Sequence, residues 1–300
     1  MLLLCLAWSL QQISLKAAST DVSPMLMVAL RSGLAALLVA AVMLWRGERL
    51  ALRTGRWRPG LLVGALFAIE FLFLAEAMRF THAGHVVVFI YTAPIFAALG
   101  LHWKLPAERL RRLQWVGIAI AFAGIATAFL GRGVVRADVQ ALDILFGDLL
   151  ALLAGAFWGA TTVTIRLTRL GSAPATETLL YQLVVAFALL MPVALWSGQS
   201  HFNPTPAAWG HLAFQGVVVT FASYLVWFWL LRRYLASRLG VLSFLTPVLG
   251  VLLGIVLLQE PLETSFLAGS GLVLFGVFLV GAHRGLGQVL RGGGRGRRAD

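Results

Sequence analysis

Residues Val86–Trp103 read VVVFIYTAPIFAALGLHW. The run is apolar throughout and holds Pro94 near its middle. In a water-soluble helix a proline there removes a hydrogen bond and clashes with the preceding turn. A lipid-embedded helix tolerates it when neighbours re-satisfy the freed carbonyl. The arrangement returns 153 residues later in Leu242–Leu258, LSFLTPVLGVLLGIVLL, with Pro247. A proline and a glutamate follow each copy, in LPAE at Leu105–Glu108 and QEP at Gln259–Pro261. The two prolines would free the carbonyls of Ile90 and Ser243 and read as paired hinges. The competing reading is a static kink.

Composition extends this to the whole chain. Of 300 residues, 60% are hydrophobic and 12% charged, with a mean hydropathy of +0.88. Soluble domains carry about 25% charged residues. The chain therefore reads as an integral membrane protein. Its net charge of +12 invites a nucleic-acid reading. The charges lie almost wholly in short gaps between apolar runs, which excludes nucleic acid and suits orientation in a membrane. Cys5 is the one cysteine, so neither an intrachain disulfide nor a thiolate metal cluster is available. The N-terminus lacks the basic stretch of a cleavable signal and reads as an uncleaved first helix.

A bilayer core of about 30 Å needs roughly 20 apolar residues per helix. Ten runs qualify or nearly so: Leu2–Leu15, Met25–Trp45, Gly60–Met78, Val86–Trp103, Leu113–Leu130, Leu145–Ile165, Thr178–Trp196, Trp209–Leu231, Leu239–Leu258 and Phe266–Ala282. Counted by alternate gaps, nineteen Lys and Arg residues fall on one side, in the clusters around Arg53, Arg111, Arg166, Arg232 and Arg297. Four fall on the other: Lys16, Arg79, Arg132 and Arg136. The positive-inside rule puts both termini in the cytoplasm. Lipid is thus an obligatory partner.

The halves match beyond their prolines. Trp8 and Lys16 return as Trp158 and Arg166 at an offset of 150, and Ala83-Gly84 falls opposite Ala236-Ser237 at 153. Five helices is an odd number, so the second half runs inverted. The expected organisation is an all-α bundle of two inverted five-helix repeats, 1–135 and 144–284, with a disordered basic tail over 285–300. Inverted repeats are a transporter signature, with the substrate site near the midplane.

Tyr91-Thr-Ala-Pro94, Ser243-Phe-Leu-Thr-Pro247, Gln259-Glu-Pro261 and Trp227-Phe-Trp229-Leu-Leu-Arg-Arg233, on this ten-helix frame, resemble the drug/metabolite transporter superfamily, in particular its EamA-type members. The resemblance covers essentially the whole chain. It implies a 5+5 inverted-repeat bundle with a central cavity, and export of amino acids or other small metabolites. Nucleotide-sugar carriers are more distant relatives.

An ionisable group inside a membrane helix is costly and marks function. Glu70 lies roughly 15 Å into the third run, near the midplane, and Glu76 about 9 Å further out. No cation falls at Glu70's depth in this reading, so it reads as a site for protons or a substrate amino group. Arg31, Glu76 and His85 share the outer third, as an Arg31–Glu76 ion pair or an outer gate. Cavity candidates are Trp8, Gln12, Trp158, Thr161, Thr162, Tyr91, Tyr181, Gln182 and Tyr224. His82 and His85 are spaced for a metal but lack a third ligand nearby, so neither metal nor cofactor is expected. Asp138, Asp143 and Asp148 fall in or near an outer gap without histidines.

The expected function is an inner-membrane transporter of small metabolites, an amino-acid or related exporter first. Drug-like cation efflux or metabolite uptake are the alternatives within transport. A membrane-embedded lipid-modifying enzyme is the rival from another class.

Overall fold

The computed structural model describes residues 1–48, 55–106, 109–133, 139–233, 242–243, 245–261 and 263–292. Ala236-Ser237, Glu108, Asp138 and 293–300 lie outside them. The described residues form helices joined by short connections, with a single isolated bridge, Val22 to Phe202, as their β pairing. The helices are α1 (Leu2–Ala17), α2 (Pro24–Trp45), α3 (Trp57–Phe80), α4 (Ala83–Ile90), α5 (Ala93–Lys104), α6 (Arg112–Gly133), α7 (Val139–Leu167) and α8 (Ala175–Trp196). Then α9 (Pro206–Ala213) continues through a π-helical stretch, Phe214–Ser223, into α10 (Tyr224–Arg233). Last come α11 (Leu245–Leu258) and α12 (Thr264–Gly292).

Among the described residues, six spans are long and apolar enough to cross a membrane: α2, α3, Ala83–Lys104, Ala141–Leu167, α8 and Pro206–Trp227. Arg112–Ala128, Leu245–Leu258 and Thr264–Val280 are apolar but shorter. Large apolar side chains cover the outside, among them Leu37 at 71% exposure and Val256 at 64%. Polar groups such as Ser9, Asp148, Gln215 and Thr246 are fully buried. A water-soluble fold distributes these the other way; lipid is the solvent this surface suits.

Two expectations change. The stretch Val86–Trp103 is not one kinked helix. It breaks at Tyr91-Thr92 into α4 and α5, and Pro94 occupies the first turn of α5. A first-turn N–H has no intrahelical partner, so proline costs little there. The Thr92 hydroxyl donates to the Phe89 carbonyl at 2.6 Å, tying off the end of α4. Pro247 is likewise in the first turn of its helix, the third residue of α11. The proline that does sit inside a helix is Pro192, in α8. At the other end of the chain, α12 runs on to Gly292, so 285–292 is helical rather than disordered. Its sequence, Gly285–Gly292, contains no proline to stop the helix.

Close contacts are made where side chains are missing. A Cβ on Gly159 of α7 would lie 2.9 Å from the Ala93 carbonyl oxygen, and one on Gly155 would lie 2.8 Å from Thr92 Oγ1. Thus α7 lies directly over the α4–α5 break. On the other side α1 does the same to the start of α11, with small polar residues. Ser9 Oγ donates to the Thr246 carbonyl at 2.8 Å, and Cys5 Sγ to that of Leu242 at 3.4 Å. Between α6 and α12 the contact is glycine on glycine. A Cβ on Gly124 would meet the Gly269 carbonyl at 2.6 Å, and one on Gly117 the Gly276 carbonyl at 2.8 Å. Small residues of this kind let membrane helices approach closely. Gly124→Val is therefore expected to destabilise the fold by roughly 1–3 kcal/mol through overpacking. Thermal loss of helical circular dichroism in detergent measures this, and an unchanged midpoint would rule out tight α6–α12 packing.

Candidate functional site

A cavity of about 530 Å³ lies at the centre of the bundle. Of the residues expected to line it, Trp8, Gln12, Glu70, Tyr91, Trp158, Thr161, Thr162, Gln182 and Tyr224 do so. Tyr181 is not among the lining residues. Its ring stands where a Cβ on Gly60 would fall, 2.7 Å away, filling the notch between α3 and α8. The cavity reaches the connection from α7 to α8, where Arg166, Leu170, Gly171 and Ala173 form its mouth. That end of the bundle also carries an ion pair between Arg56 and Glu177 at 3.3 Å.

Glu70 is 4% exposed, and its Oε2 has no hydrogen-bond partner. Phe67, one turn earlier on α3, and the neighbouring Phe71 line the cavity with it. Two edge-to-face ring pairs complete the lining: Trp8 with Trp227 at 5.4 Å, and Tyr91 with Trp158 at 5.5 Å. Trp8 Nε1 also donates to Ser223 Oγ at 2.9 Å.

The expected Arg31–Glu76 ion pair does not form. Glu76 instead pairs with Arg79 at 2.8 Å, one turn along the same helix, and accepts from Gln199. Arg31, 1% exposed, reaches deeper. Its guanidinium lies 4.4 Å from the centre of the Phe71 ring, and Nη1 donates to Gln215 Oε1 at 2.6 Å. Gln215 in turn donates to the Gln11 carbonyl at 2.7 Å. Arg31 and Glu70 are close enough for each to feel the other's charge. A cation does therefore stand near Glu70, contrary to the depth count from sequence. That count measured rise along a straight helix; an arginine side chain adds several ångströms of its own. Gln215 belongs to the π-helical stretch, where Thr220 Oγ1 donates to the carbonyl five residues back at 2.8 Å. Such wide turns often occur at functional sites.

The end of the bundle opposite the mouth is closed by polar contacts. His85, expected beside Arg31 and Glu76, belongs here. Its Nδ1 lies 2.9 Å from Asp148 Oδ1, and its ring stacks on Phe266 at 3.7 Å. Thr81 Oγ1 donates to the same Asp148 oxygen at 2.5 Å. One of these outer acidic residues, Asp148, thus does meet a histidine, brought from a different helix, so its role was invisible to sequence proximity. Lys16 Nζ donates to the carbonyls of Met78 and Thr81, at 2.5 and 2.8 Å. Glu260 accepts from the Ala83 and Gly84 amides at 2.6 and 3.0 Å, a carboxylate on the positive end of α4. Gln259, with φ of 54°, turns the chain so that Glu260 points back. Asp21 accepts from Asn203 and Thr205, at 3.0 and 2.8 Å. Asp148→Ala should cost about 1–3 kcal/mol, because Thr81 and His85 lose a buried acceptor. Asp148→Asn should cost less, and equal melting temperatures for both variants and the parent would discount the cluster.

A lipid-facing apolar exterior around a central cavity lined by polar and aromatic side chains marks the class: a multi-pass membrane transporter. The chain belongs to the EamA-like transporter family, whose family model matches residues 1–130 and 145–282. It is a multi-pass protein of the plasma membrane. It is 24% identical over 284 residues to "Uncharacterized transporter YoaV" of Bacillus subtilis, covering 91% of this chain and 92% of that one. An uncharacterized transporter of Archaeoglobus fulgidus is 30% identical, with 91% and 94% covered. A "Probable amino-acid metabolite efflux pump" of Salmonella typhimurium is 28% identical, with 70% and 71% covered. One solved structure superposes with a TM-score of 0.63 at 24% identity, over 93% of this chain and 95% of that one, and shares the fold.

Proposed function

We propose that this protein exports small metabolites, amino acids and related compounds first, across the inner membrane by alternating access through the central cavity. The observation that carries the reading is the cavity itself, which Glu70 lines and which reaches the connection from α7 to α8. With the arginine-rich loops cytoplasmic, it would load from inside. The chain acts as a carrier rather than an enzyme, in keeping with its family.

The reading includes ten crossings in two inverted repeats with both termini cytoplasmic. Equivalent contacts support it. Ser9 on Thr246 mirrors Gly159 on Ala93, and Cys5 on Leu242 mirrors Gly155 on the Phe89 carbonyl. Gly117 with Gly276 and Gly124 with Gly269 are the same contact seen twice, as a two-fold axis requires. Residues Tyr91-Thr92 and the start of α11 are the places where bending between states would occur, with Pro94 and Pro247 beside them.

A proteoliposome flux screen over amino acids, nucleosides and cationic dyes, with and without a pH gradient, tests this. Movement of at least one amino acid or related metabolite is expected. Absence of flux for every compound would sink the transport reading.

A further inference from the structure

We infer that Gln215 is a positioning residue for Glu70: it holds the Arg31 guanidinium off the Glu70 carboxyl and so keeps that carboxyl available to the cavity. This concerns how the cavity is kept ready, not what enters it, and it rests on the reading of Glu70 as the working group of the carrier proposed above. Two buried polar atoms point to it. Arg31 Nε is a donor without a hydrogen-bond partner, and Glu70 Oε2 is an acceptor without one. The two side chains are near enough to interact by charge, yet they form no ion pair. Other donors on the lining, Arg166, Gln182 and Trp227 among them, leave Oε2 unpartnered too. Keeping both atoms buried and unpaired is costly, and joining them would relieve both at once. A stronger hold on Arg31 must therefore keep them apart.

Gln215 supplies that hold. Its Oε1 accepts from Arg31 Nη1 at 2.6 Å, while the guanidinium lies 4.4 Å from the centre of the Phe71 ring. Gln215 is fully buried and is itself fixed at both ends. Its Nε2 donates to the Gln11 carbonyl at 2.7 Å, and its backbone carbonyl accepts from Thr220 Oγ1 at 2.8 Å. The π-helical stretch is also pressed on α2 one turn beyond Arg31, where a Cβ on Gly216 would lie 2.6 Å from Leu34 Cδ2. The clamp thus joins α1, α2 and the π-helical stretch. Without Gln215 Oε1, two N–H groups of Arg31 lack partners. Glu70 and Tyr224 are the groups that act on Arg31 by charge. Tyr224 offers a hydroxyl, neutral at ordinary pH. A hydrogen bond between ionised groups is the stronger one, so a released Arg31 turns to Glu70 and closes it to the cavity.

The test is carbodiimide labelling of the purified full-length protein in detergent at one neutral pH. Dicyclohexylcarbodiimide enters apolar sites and adds to a protonated carboxyl; a carboxylate held by arginine stays ionised and does not react. Adduct on the peptide that contains Glu70 is followed in time by mass spectrometry. The parent should label. Gln215→Met, which keeps the side-chain volume and offers no oxygen, should label at least about tenfold more slowly, the worth of one charged hydrogen bond. Adding Arg31→Met to it should restore at least the parent's rate, since no guanidinium remains to close the carboxyl. Should Gln215→Met not fold, Gln215→Asn takes its place with the same slowing expected, because its amide stops one methylene short of Arg31. A glutamine that served packing alone would change the melting temperature without slowing the label. The inference falls if the parent's Glu70 does not react, if the folded Gln215 variant reacts as fast as the parent, or if the double variant stays slow. No transported compound enters this measurement, so its failure leaves the carrier reading to the flux screen. Labelling as expected with no flux of any compound would uphold the clamp and sink transport.

Discussion

Glu70→Gln is expected to lower efflux about a hundredfold in proteoliposomes while the protein inserts and purifies normally. The magnitude is that of a buried charge contact, roughly 3 kcal/mol at 1.4 kcal/mol per tenfold. Glutamine keeps the shape of the side chain and its hydrogen-bonding reach, so the change isolates the charge. The side chain sits on the cavity floor, 4% exposed, and its Oε2 has no hydrogen-bond partner within the protein. Its loss removes little that holds the bundle together. The measurement is initial efflux rate from liposomes at matched protein density, with the compound that the parent moves fastest. A well-folded variant with parental rates would take Glu70 out of the mechanism.

Arg31→Met should have the larger structural effect, destabilising the protein by about 1–3 kcal/mol, the cost of an orphaned buried acceptor. Methionine fills a similar volume and keeps contact with Phe71, but Gln215 Oε1 loses its donor and Glu70 its nearby cation. Both groups are then buried and uncompensated. Removing both charges is cheaper than removing one. Arg31→Met combined with Glu70→Gln should therefore recover part of the loss, a non-additivity that a double-mutant cycle reads directly. Thermal unfolding in detergent of the two single variants and the double supplies it. Strict additivity would mean that the two residues do not interact.

Much of the frame was legible because membranes impose coarse rules. Hydrophobic runs of the required length are visible without knowing any contact. They led to nine of the cavity's lining residues, since polar or aromatic groups in the middle of such runs have few reasons to be there. What sequence did not give was partner choice. Arg31 was matched to Glu76 by depth, yet it bends toward Gln215, whose position depends on a π-helical stretch with no simple sequence mark. Asp148 and His85 are 63 residues apart and meet only through the packing of α4 on α7. Tyr181 looked like a cavity residue by composition and is consumed by the notch at Gly60. The proline in Val86–Trp103 announced a disturbed helix but not its form. A kink and a full break share the same residue, and the Thr92 hydroxyl that closes α4 distinguishes them.

In the proposed alternating-access cycle, the polar contacts opposite the mouth would set a threshold for turnover. Lys16, Asp21, Asp148 and Glu260 each join segments distant in sequence. Opening that end must exchange these bonds for water. A substrate that bound both states equally would leave the balance untouched, however tightly it bound. Reversing a hundredfold preference for the closed state takes about 5.5 kcal/mol of differential affinity. In that cycle the same contacts would act as a ratchet against idle turnover, since an empty cavity supplies none of that difference. Loosening them should make the carrier leakier before it makes it faster.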